Sequence, residues 1–222
     1  MSPYIHPARR AVDDAYQRTR GPVAFLDESY QAPSDPQRDA FYVMTAVVVA
    51  VKNMETIRTG LGAIADTNYW HTSEALKTDD GWAQTRELLG YLAEGIEPCV
   101  IAHRVTVDAD DTHAEDARKH CYQALAVELA TGRPGDWDVV DLLVLEERNQ
   151  RNLKNKDQAN HKQLVSAGRV PRHTRLLQTS PSCERLLWLP DLAASAYRRT
   201  ITHDDRTLFD VIKDQVHFVT VH

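Results

Sequence analysis

The chain has little of what several common chemistries require. Of its 222 residues only three are cysteine (Cys99, Cys121 and Cys183). An odd number with no Cys-x-x-Cys spacing argues against a disulfide framework and against a structural zinc site, and it suits a reducing compartment. The nine glycines are scattered and form no phosphate-cradling loop. Ser29 lacks a Gly-x-Ser-x-Gly elbow, so a serine hydrolase is not expected. Cys121 beside His120 is no dyad, because neighbours on a helix point to different faces. The remaining histidines (His6, His103, His113, His203, His217 and His222) form no ligand spacing. No apolar run is long enough to span a bilayer, and Tyr4 to Arg20 is too polar for a signal peptide. There is no internal repeat and no low-complexity tract. A cytoplasmic protein without a membrane partner is the expectation.

What is present suits one folded domain. The hydrophobic fraction is 42% and the charged fraction 26%, both ordinary for a globular chain able to bury a core. Residues 1–21 read as an N-terminal arm or polar helix, and residues 22–222 as a single domain. The formal net charge is −6, yet the charge is uneven. Between Arg148 and Arg175 lie eight basic residues (among them Arg148, Arg151, Lys154, Lys156, Lys162 and Arg172) against one acid, Asp157. His161 and His173 add to this at lower pH. Such a run is either a solvated face or a phosphate-binding surface.

The most pointed stretch is Val23-Ala24-Phe25-Leu26-Asp27-Glu28-Ser29. Its first four residues have the composition of a buried strand, which then ends in two carboxylates and a turn-rich segment, Ala32 to Pro36. A carboxylate there either hydrogen-bonds the turn or holds a divalent cation. Ala40 to Val51 predicts a second strand, antiparallel to the first. Helices are expected over Met54 to Asp66, from Asp79–Asp80 to about Glu94, and from a Thr112-x-x-Glu115 capping box to Gly132. Pro98 to Val107 and Val139 to Leu145 read as strands, the latter running into Glu146 and Glu147. Thr174 to Gln178 and Glu184 to Leu189 read as short strands. Pro190 opens a helix through about Arg199, and a last helix and a terminal strand, Val216 to Val221, follow. This order suits an α/β fold: a mixed sheet with the first strand central and helices on both faces. Its C-terminal strand ends bring Asp27, Glu146 and Glu147 to one edge.

Asp191 falls in the first turn of the Pro190 helix, where a carboxylate serves the helix dipole or a ligand. Leu192, Ala193 and Ala196 would pack that helix on the sheet. The pair Leu26-Asp27-Glu28-Ser29 and Leu187-Trp188-Leu189-Pro190-Asp191-Leu192-Ala193-Ala194 resembles domain-of-unknown-function family 3800. That family is ribonuclease H-like in fold, with an early Asp-Glu motif and a late Gln-x-x-Asp motif. The resemblance spans roughly Val23 to Thr200, and Trp188 stands where the family has Gln. It implies that Asp27, Glu28 and Asp191 belong to a nuclease site. The Trp70-His71-Thr72-Ser73-Glu74 segment is similar to the family's His-containing segment.

The chemistry agrees with that implication. Ribonuclease H-like enzymes hydrolyse phosphodiesters with two Mg²⁺ or Mn²⁺ ions about 4 Å apart, held by carboxylates. Asp27, Glu146 and Asp191 are the expected metal ligands, with Glu74 in reserve. His71 is the expected proton shuttle or outer ligand. Glu28 alternates to the other side of the strand, where it is either a ligand or an orienting group. The basic segment, tethered at both ends beside the site, would grip the phosphates of RNA or DNA. Two alternatives remain: a non-catalytic module that binds nucleic acid or protein with a vestigial site, and a metal-dependent phosphatase or nucleotide hydrolase.

Overall fold

The computed structural model describes residues 7–33 and 39–222, with side chains from Arg9 onward. Ser34, Asp35 and Pro36 of the expected turn lie outside the described residues, as does the start of the arm. The six strands are β1 (Val23–Gln31), β2 (Phe41–Val49), β3 (Cys99–Val105), β4 (Leu142–Glu146), β5 (Arg175–Thr179) and β6 (Val216–Val219). The helices are α1 (Pro7–Gln17), α2 (Met54–Ala65), α3 (Thr72–Ala75), α4 (Asp79–Glu94), α5 (Glu115–Thr131), α6 (Arg151–Ser166), α7 (Trp188–Thr202) and α8 (Phe209–Ile212). No described helix is long and apolar enough to cross a membrane.

The strands form one mixed sheet in the order β5-β4-β1-β2-β3-β6. Strand β1 is antiparallel to β2 and parallel to β4, and β5 continues the parallel half. Every residue of β2 is buried, which explains a run that is apolar throughout except for Thr45 and the Tyr42 hydroxyl. The sheet has helices on both faces, and the period of two along each strand sorts the core. Val23 and Phe25 of β1, with Leu142 and Val144 of β4, join the cluster packed by α2, α4 and α7. Ala24, Leu26, Leu143 and Leu145 face the other way, into the cluster packed by α5. On α7, Leu192, Ala193 and Ala196 are fully buried, and these mostly small side chains let the helix lie close on β1 and β2.

Several local expectations shift. The α5 cap is Ala114 in a left-handed conformation, with no side-chain bond from Thr112; Asp111 instead accepts from the Ala117 N–H at 2.8 Å. Residues Arg185 to Leu189 are helical rather than extended. Glu184 accepts from the Leu186 N–H and starts a 3₁₀ turn, Arg185–Leu187, that runs directly into α7. Pro190 still falls in the first turn, where its missing N–H leaves no bond unmade.

The basic stretch is the ordered crossover from β4 to β5. Helix α6 is docked on α5 through a buried ion pair: Arg118 Nε and Nη2 donate to the two Asp157 oxygens at 2.8 and 2.9 Å. Arg118 also donates to the Tyr42 hydroxyl at 3.0 Å and pairs with Glu28. His161 donates through Nε2 to the Thr174 carbonyl at 3.1 Å and so accepts the Tyr122 hydroxyl at Nδ1, 2.8 Å away. Burial lowers its pKa, which disfavours the charged form that would add to the basic run. Removing one partner of a buried pair leaves the others charged and dry. Arg118→Met is therefore expected to lower unfolding free energy by about 3–5 kcal/mol in urea denaturation. A loss under about 1 kcal/mol would contradict this role.

Candidate metal site at the sheet edge

The alternation that sorts the core also places the carboxylates. Asp27 continues the Val23–Phe25 series and faces α7. Glu146 continues Leu142–Val144 and faces the same way. The two sit on adjacent parallel strands, one step beyond the Leu26–Leu145 pair. Cross-strand neighbours extend the row: Thr45 is paired with Asp27 on β2, and Thr179 with Glu146 on β5. The hydroxyls of Thr45 and Thr179 are buried with no hydrogen-bond partner. A polar line, Thr45–Asp27–Glu146–Thr179, therefore crosses the C-terminal ends of β4 and β5 and the middle of β1, which runs on to Gln31 instead of ending at Asp27–Glu28, beneath α7.

Asp191 is brought over this line by the first turn of α7. The Thr72 N–H and the Thr72 hydroxyl both donate to its Oδ2, at 2.8 and 2.9 Å. Trp70 in turn donates to the Thr72 hydroxyl at 3.1 Å. The Trp70–Thr72 segment thus acts as a cradle for Asp191. His71 Nδ1 stands 3.7 Å from the same oxygen. Asp27, Glu28, His71, Glu146, Asp191 and Arg148 line one open cavity of about 470 Å³.

Charge is concentrated here. Burial, followed by the charges of Glu146, Asp191 and Glu28, holds the Asp27 pKa well above the usual carboxylate range. Burial and the charges of Asp191 and Glu28 push Glu146 up to about 7, while His71 and a hydrogen bond from Asp27 pull the other way. The neighbouring Asp191 carboxylate raises His71 above an ordinary imidazole, against partial burial. With chelator present, the site would therefore hold protons that the unfolded chain releases.

Not every expected residue joins the cluster. Glu74 lies on α3 outside the cavity, exposed and paired with Lys77 at 2.6 Å. Glu28 lines the cavity, but it lies on the α5 side of β1 and is tied to Arg118. Trp188 is buried in the α7-side core. Of the basic residues, Arg148 and Lys156 pair with Glu115, and Lys154 pairs with Glu147 at 2.6 Å. Arg151, Lys162 and Arg172 are exposed and enter no ion pair among the described residues. Sequence reasoning missed Thr45, Thr72, Thr179 and Arg118. It also missed Ser195 and Arg198, which line the cavity beside Asp191 on α7; the 191, 195, 198 spacing was the available signal.

The donor set, carboxylate oxygens from three separate elements, suits a hard divalent cation, and the two orphaned threonine hydroxyls lie in the same row. Among the described residues no three Asp, Glu, His or Cys side chains already stand in a complete ligating arrangement. A scan against protein-family models matches none, and no curated protein matches the chain.

The proton uptake has a definite sign. Both raised carboxyl pKa values lie above their unfolded counterparts, so their stabilising effect is full at low pH and is lost as pH rises through them. In chelator, the melting temperature should fall between about pH 5 and pH 8, and Glu146→Gln should flatten that fall. A slope in this range unchanged by the substitution would contradict the crowding.

Proposed function

We propose that the protein is a divalent-metal-dependent nuclease of ribonuclease H-like fold, and that it hydrolyses phosphodiester bonds of nucleic acid. The observation that carries this reading is the meeting of Asp27, Glu146 and Asp191, from two strands and a helix, in one cavity at the C-terminal edge of the sheet. The position of β1 inside a mixed sheet, antiparallel to one neighbour and parallel to the other with helices on both faces, supports the fold assignment. The motifs that resemble family 3800 fall at this cavity: Asp27 and Glu28 early, Asp191 late.

Asp27, Glu146 and Asp191 would hold Mg²⁺ or Mn²⁺. When bound, a pair of such ions supplies an activated water and neutralises the leaving oxygen. The chain's own residues do the rest. Thr72 fixes the Asp191 carboxylate through two hydrogen bonds, so that oxygen is oriented before any ligand arrives. His71, half exposed and beside Asp191, is placed to carry a proton between the cavity and solvent. Of the basic residues without an ion pair, Arg151 opens α6 next to the Arg148–Gln150 wall of the cavity and is the one placed to meet phosphates, whereas Lys162 and Arg172 lie toward the start of β5, at the far end of the crossover.

A non-catalytic module is the second reading, favoured by Trp188, which is buried in the core and stands where the resembled family has Gln. One experiment separates the two. Wild-type protein should cleave RNA or DNA in Mn²⁺ or Mg²⁺, and saturating metal should raise its melting temperature, an excess of about a hundredfold over Kd corresponding to about 2.7 kcal/mol. Asp27→Asn and Asp191→Asn should each abolish cleavage while remaining folded. Equal cleavage by wild type and both variants would refute the assignment, and a wild type with neither cleavage nor a metal-dependent shift would favour the module.

A further inference from the structure

Tyr30 is an aromatic side chain that no part of the metal chemistry uses. It lies on β1, three residues beyond Asp27, and lines the same cavity. Of the described large apolar side chains that are exposed, Tyr30, at 47%, is the one that lines this cavity. Its ring is stacked on that of Tyr42, with centroids 5.5 Å apart and planes inclined by 23°. This is the offset geometry that aromatic pairs prefer. Tyr42 is itself fully buried and held at its hydroxyl by Arg118. One face of Tyr30 is thus backed by a fixed ring on the α5 side of β1, the side of Glu28, while nearly half of the side chain stays open to the cavity that Asp27, Glu146 and Asp191 also line.

An exposed aromatic surface loses hydration cheaply only against another flat apolar surface. The β4–α6 connection, Arg148 to Gln150, forms a polar wall of the cavity and offers no apolar cover. A nucleic-acid base is the flat partner that accompanies a phosphodiester into such a site. In a duplex both faces of each base are already stacked, so only an unpaired base offers a free face. Resting on the nuclease reading above, we infer that Tyr30 is a stacking platform for an unpaired base next to the scissile phosphate, and that single-stranded nucleic acid is the substrate class. Buried Tyr42 is the positioning residue that holds the platform flat.

The test uses the full chain and an oligonucleotide carrying 2-aminopurine, as DNA and as RNA, single-stranded or annealed to its complement. Binding is followed in Ca²⁺, whose looser coordination suits binding without turnover. Wild type should bind the single strand more tightly than the duplex and quench 2-aminopurine fluorescence at one position of the strand. Tyr30→Leu, which keeps apolar bulk and removes the ring, should lose about tenfold or more in single-strand affinity together with the quench. Tyr30→Phe should retain both. A Tyr30→Leu protein that binds and quenches as wild type does, or a wild type that binds duplex as tightly as single strand, overturns the platform and leaves the metal site standing. A wild type that binds no oligonucleotide overturns the nuclease reading and the platform with it.

Discussion

Like-charge crowding where β1 and β4 stop pairing is the constraint on which the rest of the site depends. Two like charges about 4 Å apart repel by about 4 kcal/mol at an effective dielectric of about 20. Asp27 is buried, Glu146 and Asp191 are mostly so; the charges of Glu146 and Asp191 raise the proton affinity of Asp27, and that of Asp191 raises Glu146's. A fold that served stability alone would place apolar residues at these positions. Here the sheet instead keeps the carboxylates together and uses Thr72 to fix one of them. Protons relieve the repulsion when nothing else is bound; a divalent cation would relieve it more completely.

The two faces of β1 divide the work. The α7 face carries Asp27 and the polar row of Thr45, Glu146 and Thr179. The α5 face carries Glu28, which Arg118 joins to Asp157 of α6 and to the Tyr42 hydroxyl. Arg118 thus links a carboxylate at the cavity rim, the ring behind Tyr30 and the basic helix in one buried node. The positions of α6 and of the Arg148–Gln150 wall follow from it. Most of the basic charge beside this node is already answered by Glu115 and Glu147, so the strongly positive composition of the segment overstates the cation available to a ligand.

Much of this arrangement was legible in the residues. A period of two is enough to send Asp27 and Glu28 to opposite faces, and strand-end and first-turn positions are enough to bring Glu146 and Asp191 to one edge. The parts that were not legible depend on distant partners. Arg118 reads as one charge among many on an exposed-looking helix until Asp157, 39 residues away, is beside it. Thr45 interrupts an otherwise apolar strand, which was a usable signal, whereas Thr179 and Thr72 gain meaning only from cross-strand register and from Asp191. The basic segment read as a phosphate grip held at both ends beside the site because its charge pattern hides the buried Asp157, His161 and Leu164 that dock it as a helix; its second end instead enters the start of β5, at the opposite end of the sheet. Local capping misled at two places, before α5 and before α7, where Asp111 and Glu184 supply the bonds in other ways.

The central claim, that Asp27, Glu146 and Asp191 form a divalent-metal site, is tested most directly by anomalous diffraction from crystals grown or soaked with Mn²⁺. The expected result is an anomalous peak among the three carboxylates, with oxygen ligands from at least two of them. A Mn²⁺-saturated crystal with no peak in this cavity, and the Asp27 and Glu146 carboxyl groups still hydrogen-bonded to each other, would contradict it.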